Sequence, residues 1–501
     1  MRTTEFIRKN PVFVIVALCL LSRLPQLISP ELYCDGDECV MGLMAEKMYE
    51  GKELPLFFWG QHYGFSLFEC VSILPFYLLF GYTTIAVKLG ILSVWTVGTT
   101  LLFKVVYKLL NEKLYPSMLM ITGFILFPAW MLQSMKAWGG PVTSYMLSNL
   151  ILYLLICKSY YQRWWFHLLI GILIALVYES QRLWLVGVLP VWIYMLYDKK
   201  KLIWSAPTLA LAACICVLLW YYKQHIPETH VMPISIPETI RMTLFRFERF
   251  PMYLYGSLHD NYFFATCQNP NFFNAIAAIA GCALFFAVLI YGILHCASAD
   301  KLKTMLTATI VFAPLVVVYS IFTEGPEGRY LLPVSGYVLI SLAVIVSKLR
   351  FKKNYLTGIY LFFLIEGIST VCFYSFSDIS ASRRKSVKDM VSYLNKKQIH
   401  YVYSEDCMLP YELMFYSGNT IFARMPYQPA RYQPASDSVD NALKCNESYA
   451  VVNYKNGSEG MWNSMIGFED FYIVENMPKE IVVKAFDVKS YSGNSDVVIS
   501  R

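Results

Sequence analysis

CDGDECVMGLMAEKMYEGKELPLFFWGQHYGFSLFECVSILPFYLLFG, residues 34–81, decides how this chain is to be read. It follows an apolar run at 11–28 and opens with Asp35, Asp37 and Glu38 crowded together. Val40, Leu43, Met44 and Met48 then recur at helical spacing, with Glu46, Lys47 and Glu50 opposite and Gly51 as a stop. A helix is expected from about residue 38 to 50, lying on a membrane surface through its apolar face. A second apolar run, 65–81, carries Glu69 near its head. Charged groups beside such a run usually line a cavity or pair with a partner.

Outward from this stretch the chain is apolar almost throughout. Of its 501 residues, 56% are hydrophobic and 15% charged, whereas soluble domains carry about 25% charged residues. Apolar runs near the length needed to cross a hydrocarbon core recur from Pro11 onward. The net charge of +7 resides in short clusters between these runs rather than along one basic face, so nucleic acid is not an expected partner. Most cysteines lie inside apolar runs, where a thiol behaves as a small hydrophobe, and no disulfide framework follows. The run at 11–28 follows Arg2, Arg8 and Lys9 as a signal peptide would, but no small-residue cleavage site is evident, and it is read as a retained first span.

Hydropathy alone would make 65–81 a span and give about twelve. That count would place Lys104, Lys108, Lys113, Lys158 and Arg163 outside, inverting the positive-inside bias over two consecutive loops. With 65–81 kept at the outer interface, about eleven spans remain, near 11–28, 84–108, 117–133, 142–157, 164–178, 183–197, 202–222, 273–297, 304–322, 331–348 and 355–376. Every cytoplasmic turn is then basic, including Lys199–Lys201, Lys301 with Lys303, and Lys348 to Lys353. The N-terminus is cytoplasmic in this scheme, and 29–83, 223–272 and the tail lie outside.

The tail is no longer hydrophobic. Val387, Met390, Val391 and Leu394 predict a helix, and alternating runs at 401–403, 420–423, 449–452, 471–474 and 481–483 predict strands. The fold class expected is therefore a polytopic α-helical membrane domain, 1–376, followed by a small extracytoplasmic α/β domain, 377–501.

Asp35 and Glu38 stand at capping-box spacing, which needs no chemistry. That reading leaves Asp37 unexplained. A carboxylate beside the low-dielectric interface suits a base for an acceptor hydroxyl or a ligand for an acceptor amine. His62 near a carboxylate is a weak metal signal, and metal use stays open: a divalent ion is compatible with the residues and not required by them.

The residues around Asp37 resemble the GT-C membrane glycosyltransferases, in particular bacterial members similar to protein mannosyltransferases and to the aminoarabinose transferases of lipid A (family 39 type). The likeness rests on Asp37-Glu38 after the first span, on Gly42-Leu43-Met44-Ala45 through Gly51-Lys52-Glu53-Leu54-Pro55, and on Gly60-Gln61-His62-Tyr63 leading through Glu69 to Leu79-Phe80-Gly81. In that family the first outer loop holds two juxtamembrane helices, which the charge argument also requires here. The resemblance implies extracytoplasmic, inverting transfer of a sugar from a polyprenyl-phosphate-linked donor to a cell-envelope acceptor, in contact with membrane lipid.

On that reading Asp37 is the catalytic carboxylate, Glu38 supports it, and Glu69, Gln61, His62 and Tyr63 bind substrate. Arg329-Tyr330-Leu331-Leu332-Pro333 resembles the family's arginine-tyrosine motif, so Arg329, with Tyr330 beside it, is expected at the carrier phosphate; a guanidinium can fork onto two phosphate oxygens. Many family members carry an acid in the second outer loop. Here that loop reads Ser134-Met135-Lys136-Ala137-Trp138-Gly139-Gly140-Pro141, which argues against a metal-bridged carboxylate pair. Lys136 either flanks the cavity or, with Trp138, anchors a span end. Arg241, Arg246 and Arg249 form a basic amphipathic stretch, Glu179 and Arg182 an i,i+3 pair, and Glu366 lies inside the last span without a nameable partner.

Two alternatives differ in class. A multi-pass transporter would use Glu366 or Glu69 as its coupling acid, but the acids gather in one outer loop and no repeated halves are evident. An oligosaccharide or polymer transferase would keep the lipid-linked donor and take a longer acceptor. Asn446 and Asn456 head glycosylation sequons that matter only in a eukaryotic secretory membrane; the bacterial inner membrane is the expected location.

Overall fold

A computed structural model describes residues 2–126, 130, 133–158, 160–225, 336–337, 339–340, 378–426, 430–454, 465–467, 471–486 and 488. Apart from residues 336–337 and 339–340, the last four expected spans lie outside the described residues, as do Arg241, Arg246, Arg249, Arg329, Tyr330 and Glu366.

A short helix α1 (Arg2–Lys9) leads into α2 (Pro11–Leu27), whose first-turn proline supplies a preset φ where no N–H is needed. The two outer-loop helices follow as α3 (Gly36–Tyr49) and α4 (Leu67–Phe80), and α4 stops at Gly81, whose φ of 65° is left-handed. At about 1.5 Å per residue α4 reaches about 21 Å, short of the roughly 30 Å hydrocarbon core. It packs along α3 and α5 (Thr84–Leu109), with the Ile73 backbone filling the space where Gly90 lacks a side chain.

Helices α6 (Leu114–Leu126), α7 (Pro141–Tyr153), α8 (Trp164–Gln181), α9 (Leu185–Asp198) and α10 (Ser205–Lys223) complete the described membrane part. A 3₁₀ turn, Arg182–Trp184, separates α8 from α9 where two spans were expected to meet. Among the described residues, four helical stretches are long and apolar enough to cross a membrane: Thr84–Leu109, Pro141–Lys158, Trp164–Asp198 and Leu202–Lys223. Bulky apolar side chains such as Leu78, Leu79, Val217 and Leu218 stay exposed on these and neighbouring helices, as befits an integral membrane protein whose outer solvent is lipid.

The tail forms a five-stranded sheet in the order β2-β1-β3-β5-β4. Strands β1 (Tyr401–Ser404), β2 (Phe422–Arg424) and β3 (Tyr449–Tyr454) are parallel; β5 (Phe471–Glu475) runs antiparallel to both β3 and the edge strand β4 (Met465–Gly467). Helices α11 (Asp378–Lys396), α12 (Leu409–Tyr416), α13 (Gln433–Lys444) and α14 (Lys479–Phe486) flank it. The run 481–483, expected as a strand, is part of α14. Val482, Val483 and Phe486 are its buried residues, a helical spacing that a three-residue β-branched window imitates.

Period-2 alternation gives the sheet two apolar faces. Tyr403, Val451 and Val474 belong to a core of the tail alone. Val402, Val452 and Ile473 belong to a cluster that runs on through α12 into α3 and the membrane helices. The helix α3 is therefore no surface helix, as its amphipathic pattern suggested. It is buried on both faces from Glu38 to Glu46, because α12 covers the side assigned to water.

Candidate functional site

The first turn of α3 is closed by the capping box that the spacing allowed. Asp35 Oδ1 accepts the Glu38 N–H (3.2 Å) and Glu38 Oε2 accepts the Asp35 N–H (3.3 Å). Both carboxylates are buried, and two lysines answer them. Lys136, from the segment before α7, pairs with Asp35 and sits 3.4 Å from Glu38 Oε2; Lys88, from α5, pairs with Glu38 Oε1, which also accepts the Ala137 N–H at 3.3 Å. Burial would raise the Asp35 carboxyl. The charge and hydrogen bond of Lys136, helped by Lys88, outweigh that and hold it below the usual carboxylate range.

Between these two locked acids the helical turn points Asp37 elsewhere. Its side chain is 31% exposed and accepts a hydrogen bond from Arg431 Nη1 at 2.8 Å. Arg431 arrives from the tail, just before α13. Its guanidinium lies 5.5 Å from the Phe58 ring centroid, and its backbone N–H donates to Tyr411 Oη at 3.1 Å. The next residue, Tyr432, stacks on Trp59 with centroids 4.2 Å apart. Tyr416 Oη accepts the Cys34 N–H at 2.8 Å, and Asn419 donates to Glu46 Oε1. The tail thus grips α3 along its whole length.

Glu69 is fully buried and accepts from the N–H groups of Gly139 (3.0 Å) and Gly140 (2.9 Å) and from Thr143 Oγ1 (3.2 Å). These donors form the N-terminus of α7, where an anion is favoured. Burial pushes its carboxyl up against the lowering effect of those donors. Gln61 and His62 are half-buried and Tyr63 is 55% exposed, on the turn between Trp59 and Gly64. That turn is pinned from behind: the Gly64 and Phe65 N–H groups both donate to the Glu179 carbonyl at 3.1 Å, and Phe58 N–H donates to the Gly64 carbonyl at 3.0 Å. Gly64 has a φ of 78°, and a Cβ there would stand 2.1 Å from the Gly139 carbonyl oxygen. The segments around Gly64 and Gly139 form one frame.

The structure therefore brings Asp35, Glu38, Lys88 and Lys136 into one neutral buried quartet, and sets Asp37 with Arg431 at its edge. Two partners differ from the sequence reading. Glu179 pairs with the buried Lys223 rather than Arg182, whose guanidinium lies over Tyr178. Lys88, a weak signal in the sequence as a lone charge in an otherwise apolar run, is a direct partner of Glu38. Arg431 gave no such signal, since it lies in a Pro- and Tyr-rich stretch without charge periodicity. Among the described residues no group of three His, Cys, Asp or Glu side chains is placed to hold a metal ion.

No protein-family model matches the sequence, and no curated protein matches it. Solved structures do. ArnT from Cupriavidus metallidurans, crystallised with undecaprenyl phosphate, matches with a TM-score of 0.57 at 12% identity, over 94% of this chain and 98% of that one. The Archaeoglobus fulgidus oligosaccharyltransferase, in complex with Zn and sulfate, matches with a TM-score of 0.52 at 11% identity, over 88% of this chain and 67% of that one. At these identities the likeness is one of fold. The chain has the GT-C fold that both of these glycosyltransferases share.

Proposed function

We propose that this GT-C chain transfers a sugar from a polyprenyl-phosphate-linked donor to a cell-envelope acceptor on the outer side of a bacterial inner membrane, with Asp37 as the catalytic carboxylate. One observation carries the reading. Among Asp35, Asp37, Glu38 and Glu69, Asp35 and Glu38 are neutralised by buried lysines and Glu69 by a helix N-terminus, whereas Asp37 alone is partly exposed. The fold likeness to a protein crystallised with undecaprenyl phosphate supports the carrier class.

The chemistry is an inverting displacement. The acceptor oxygen forms a bond to the anomeric carbon from the face opposite the phosphate. The bond from that carbon to the phosphate oxygen breaks, its electron pair leaves on the carrier phosphate, and the acceptor proton passes to Asp37. Glu38 acts through the quartet, fixing the first turn of α3. Glu69 holds the second outer loop against α4. Lys136 acts through the same quartet; Gln61, His62 and Tyr63 contact substrate, and Arg329 with Tyr330 meets the carrier phosphate, as the resemblance implies. A divalent metal is not required by this scheme.

The test is incubation of the purified full chain with a panel of polyprenyl phosphate sugars and envelope acceptors. Asp37→Asn is expected to lower turnover by roughly two orders of magnitude or more, the scale of general-base removal, with expression unchanged. Normal turnover in that variant would remove Asp37 from the chemistry. The fold likeness to an oligosaccharyltransferase favours a second reading, in which the donor carries an oligosaccharide. A lipid-linked oligosaccharide in the same panel separates the two.

A further inference from the structure

We propose that Arg431, carried by the C-terminal sheet unit, is a ligand for the donor's phosphate and shares its guanidinium between that phosphate and Asp37. The inference rests on the lipid-linked donor proposed above, and adds that the membrane part alone does not make a complete site.

The charge census leads to it. Asp35 and Glu38 are matched by Lys88 and Lys136, and these four groups are buried with their charged ends turned toward one another. Glu69 is matched by backbone and hydroxyl donors. Asp37 is matched by Arg431. The described part of the site is thus neutral before a substrate arrives, so that beside Arg329 an incoming phosphate can draw only on a cation that turns toward it without stranding a buried carboxylate. The two lysines fail that condition. Arg431 meets it, since Asp37 keeps access to water when the guanidinium turns away.

The geometry of Arg431 fits the role. One Nη1 bond of 2.8 Å goes to Asp37, and no other acceptor for its guanidinium occurs among the described residues. The remaining N–H groups of the fork match two phosphate oxygens. Phe58 beneath the guanidinium and Tyr432 stacked on Trp59 limit its reach to the edge of the first outer loop, where Asp37 stands. Drawing Arg431 onto a phosphate would also free Asp37 to accept a proton, so donor binding and base activation would be one event.

The experiment measures the dissociation constant of a short-chain polyprenyl phosphate for the full chain in nanodiscs, with phosphatidylglycerol and inorganic phosphate as parallel arms. Arg431→Gln is expected to weaken polyprenyl phosphate about tenfold or more, the scale of one lost charge-assisted pair, with Arg431→Lys between it and wild type. Asp37→Asn, which keeps Arg431, is expected to tighten binding, and that gain is expected to vanish when Arg431→Gln is added. Equal binding by wild type and Arg431→Gln would overturn the proposal. So would an equal loss for phosphatidylglycerol, which would make Arg431 a headgroup anchor, or for inorganic phosphate, which would make it a free-anion site. If Arg431→Gln does not fold, the Asp37→Asn arm decides, and no tightening there overturns it. A wild-type chain that binds no polyprenyl phosphate fails at the earlier step and removes the donor reading itself.

Discussion

Three acids crowded at positions 35–38 have three different fates, and the helix N-terminus decides them. Asp35 is the N-cap and Glu38 the third helical residue, so both turn toward the first-turn N–H groups and meet Lys136 and Lys88 there. Asp37, between them, leaves in another direction. Removing the Lys136 charge while keeping its stem, as in Lys136→Met, strands Asp35 and is expected to cost about 3–5 kcal/mol, the penalty for breaking a buried pair from one side. The pH dependence follows from the sign of the Asp35 shift. Its folded carboxyl lies below its unfolded value, so its contribution to stability is present above the unfolded value and disappears as pH falls through the folded one. In Lys136→Met that contribution is absent, so acid unfolding followed by tryptophan fluorescence is expected to begin at a higher pH than in wild type. An unchanged acid midpoint would mean that the quartet does not hold the loop. Residue spacing made the capping box legible and singled out Asp37, because local geometry acts over four residues. It had no access to Arg431, which lies 394 positions away.

Helix α3 shows where patterning stops being informative at the element scale. Its stripe of Val40, Leu43, Met44 and Met48 marked a helix, and Gly51, with a φ of 68°, stops it as expected. The side taken for the polar one is nevertheless covered by α12. Gly42 is a point of close approach: a Cβ there would come within 2.5 Å of the Phe415 ring. A helix that needed only a membrane on one side would tolerate any apolar residue at this position. Gly42→Leu is expected to wedge α12 away and to cost about 1–3 kcal/mol, the scale of overpacking. Hydrogen exchange in 409–416 is expected to rise in that variant while exchange in β1 and β3 stays slow; unaltered exchange in 409–416 would show that α12 does not depend on this contact. Strands β1, β2, β3 and β5 were legible because alternation survives even when both faces are buried. The run 481–483 was misread because three apolar β-branched residues carry no period of their own, and β4 went unseen because three residues give no alternation to detect.

For the whole molecule the question is which side of the membrane each connection faces, and charge is what orients it. The described helices follow the expected boundaries closely from 11 to 223, and the expected break near 183 is the 3₁₀ turn Arg182–Trp184. Length and apolarity were therefore readable from the sequence. Sidedness is a different property. It rests on α4 staying on the outer surface, which keeps the turns carrying Lys104, Lys108, Lys113, Lys158 and Arg163 on the inner side. The site couples the two, because Asp37 on α3 touches Arg431 on the tail: the first outer loop and the tail must share one side of the bilayer. Cysteine chemistry on intact cells tests this directly. Cys407 and Cys445 are exposed in the tail and serve as reporters of the outer side, expected to react with an impermeant maleimide. Lys108→Cys, in the last turn of α5 where Lys108 pairs with Glu112 at 2.8 Å, is expected to react only after permeabilisation. If Lys108→Cys were labelled in intact cells together with the tail, α4 would have to cross, the basic turns would invert, and an outer location for Asp37 would require a different path for the chain between 27 and 84.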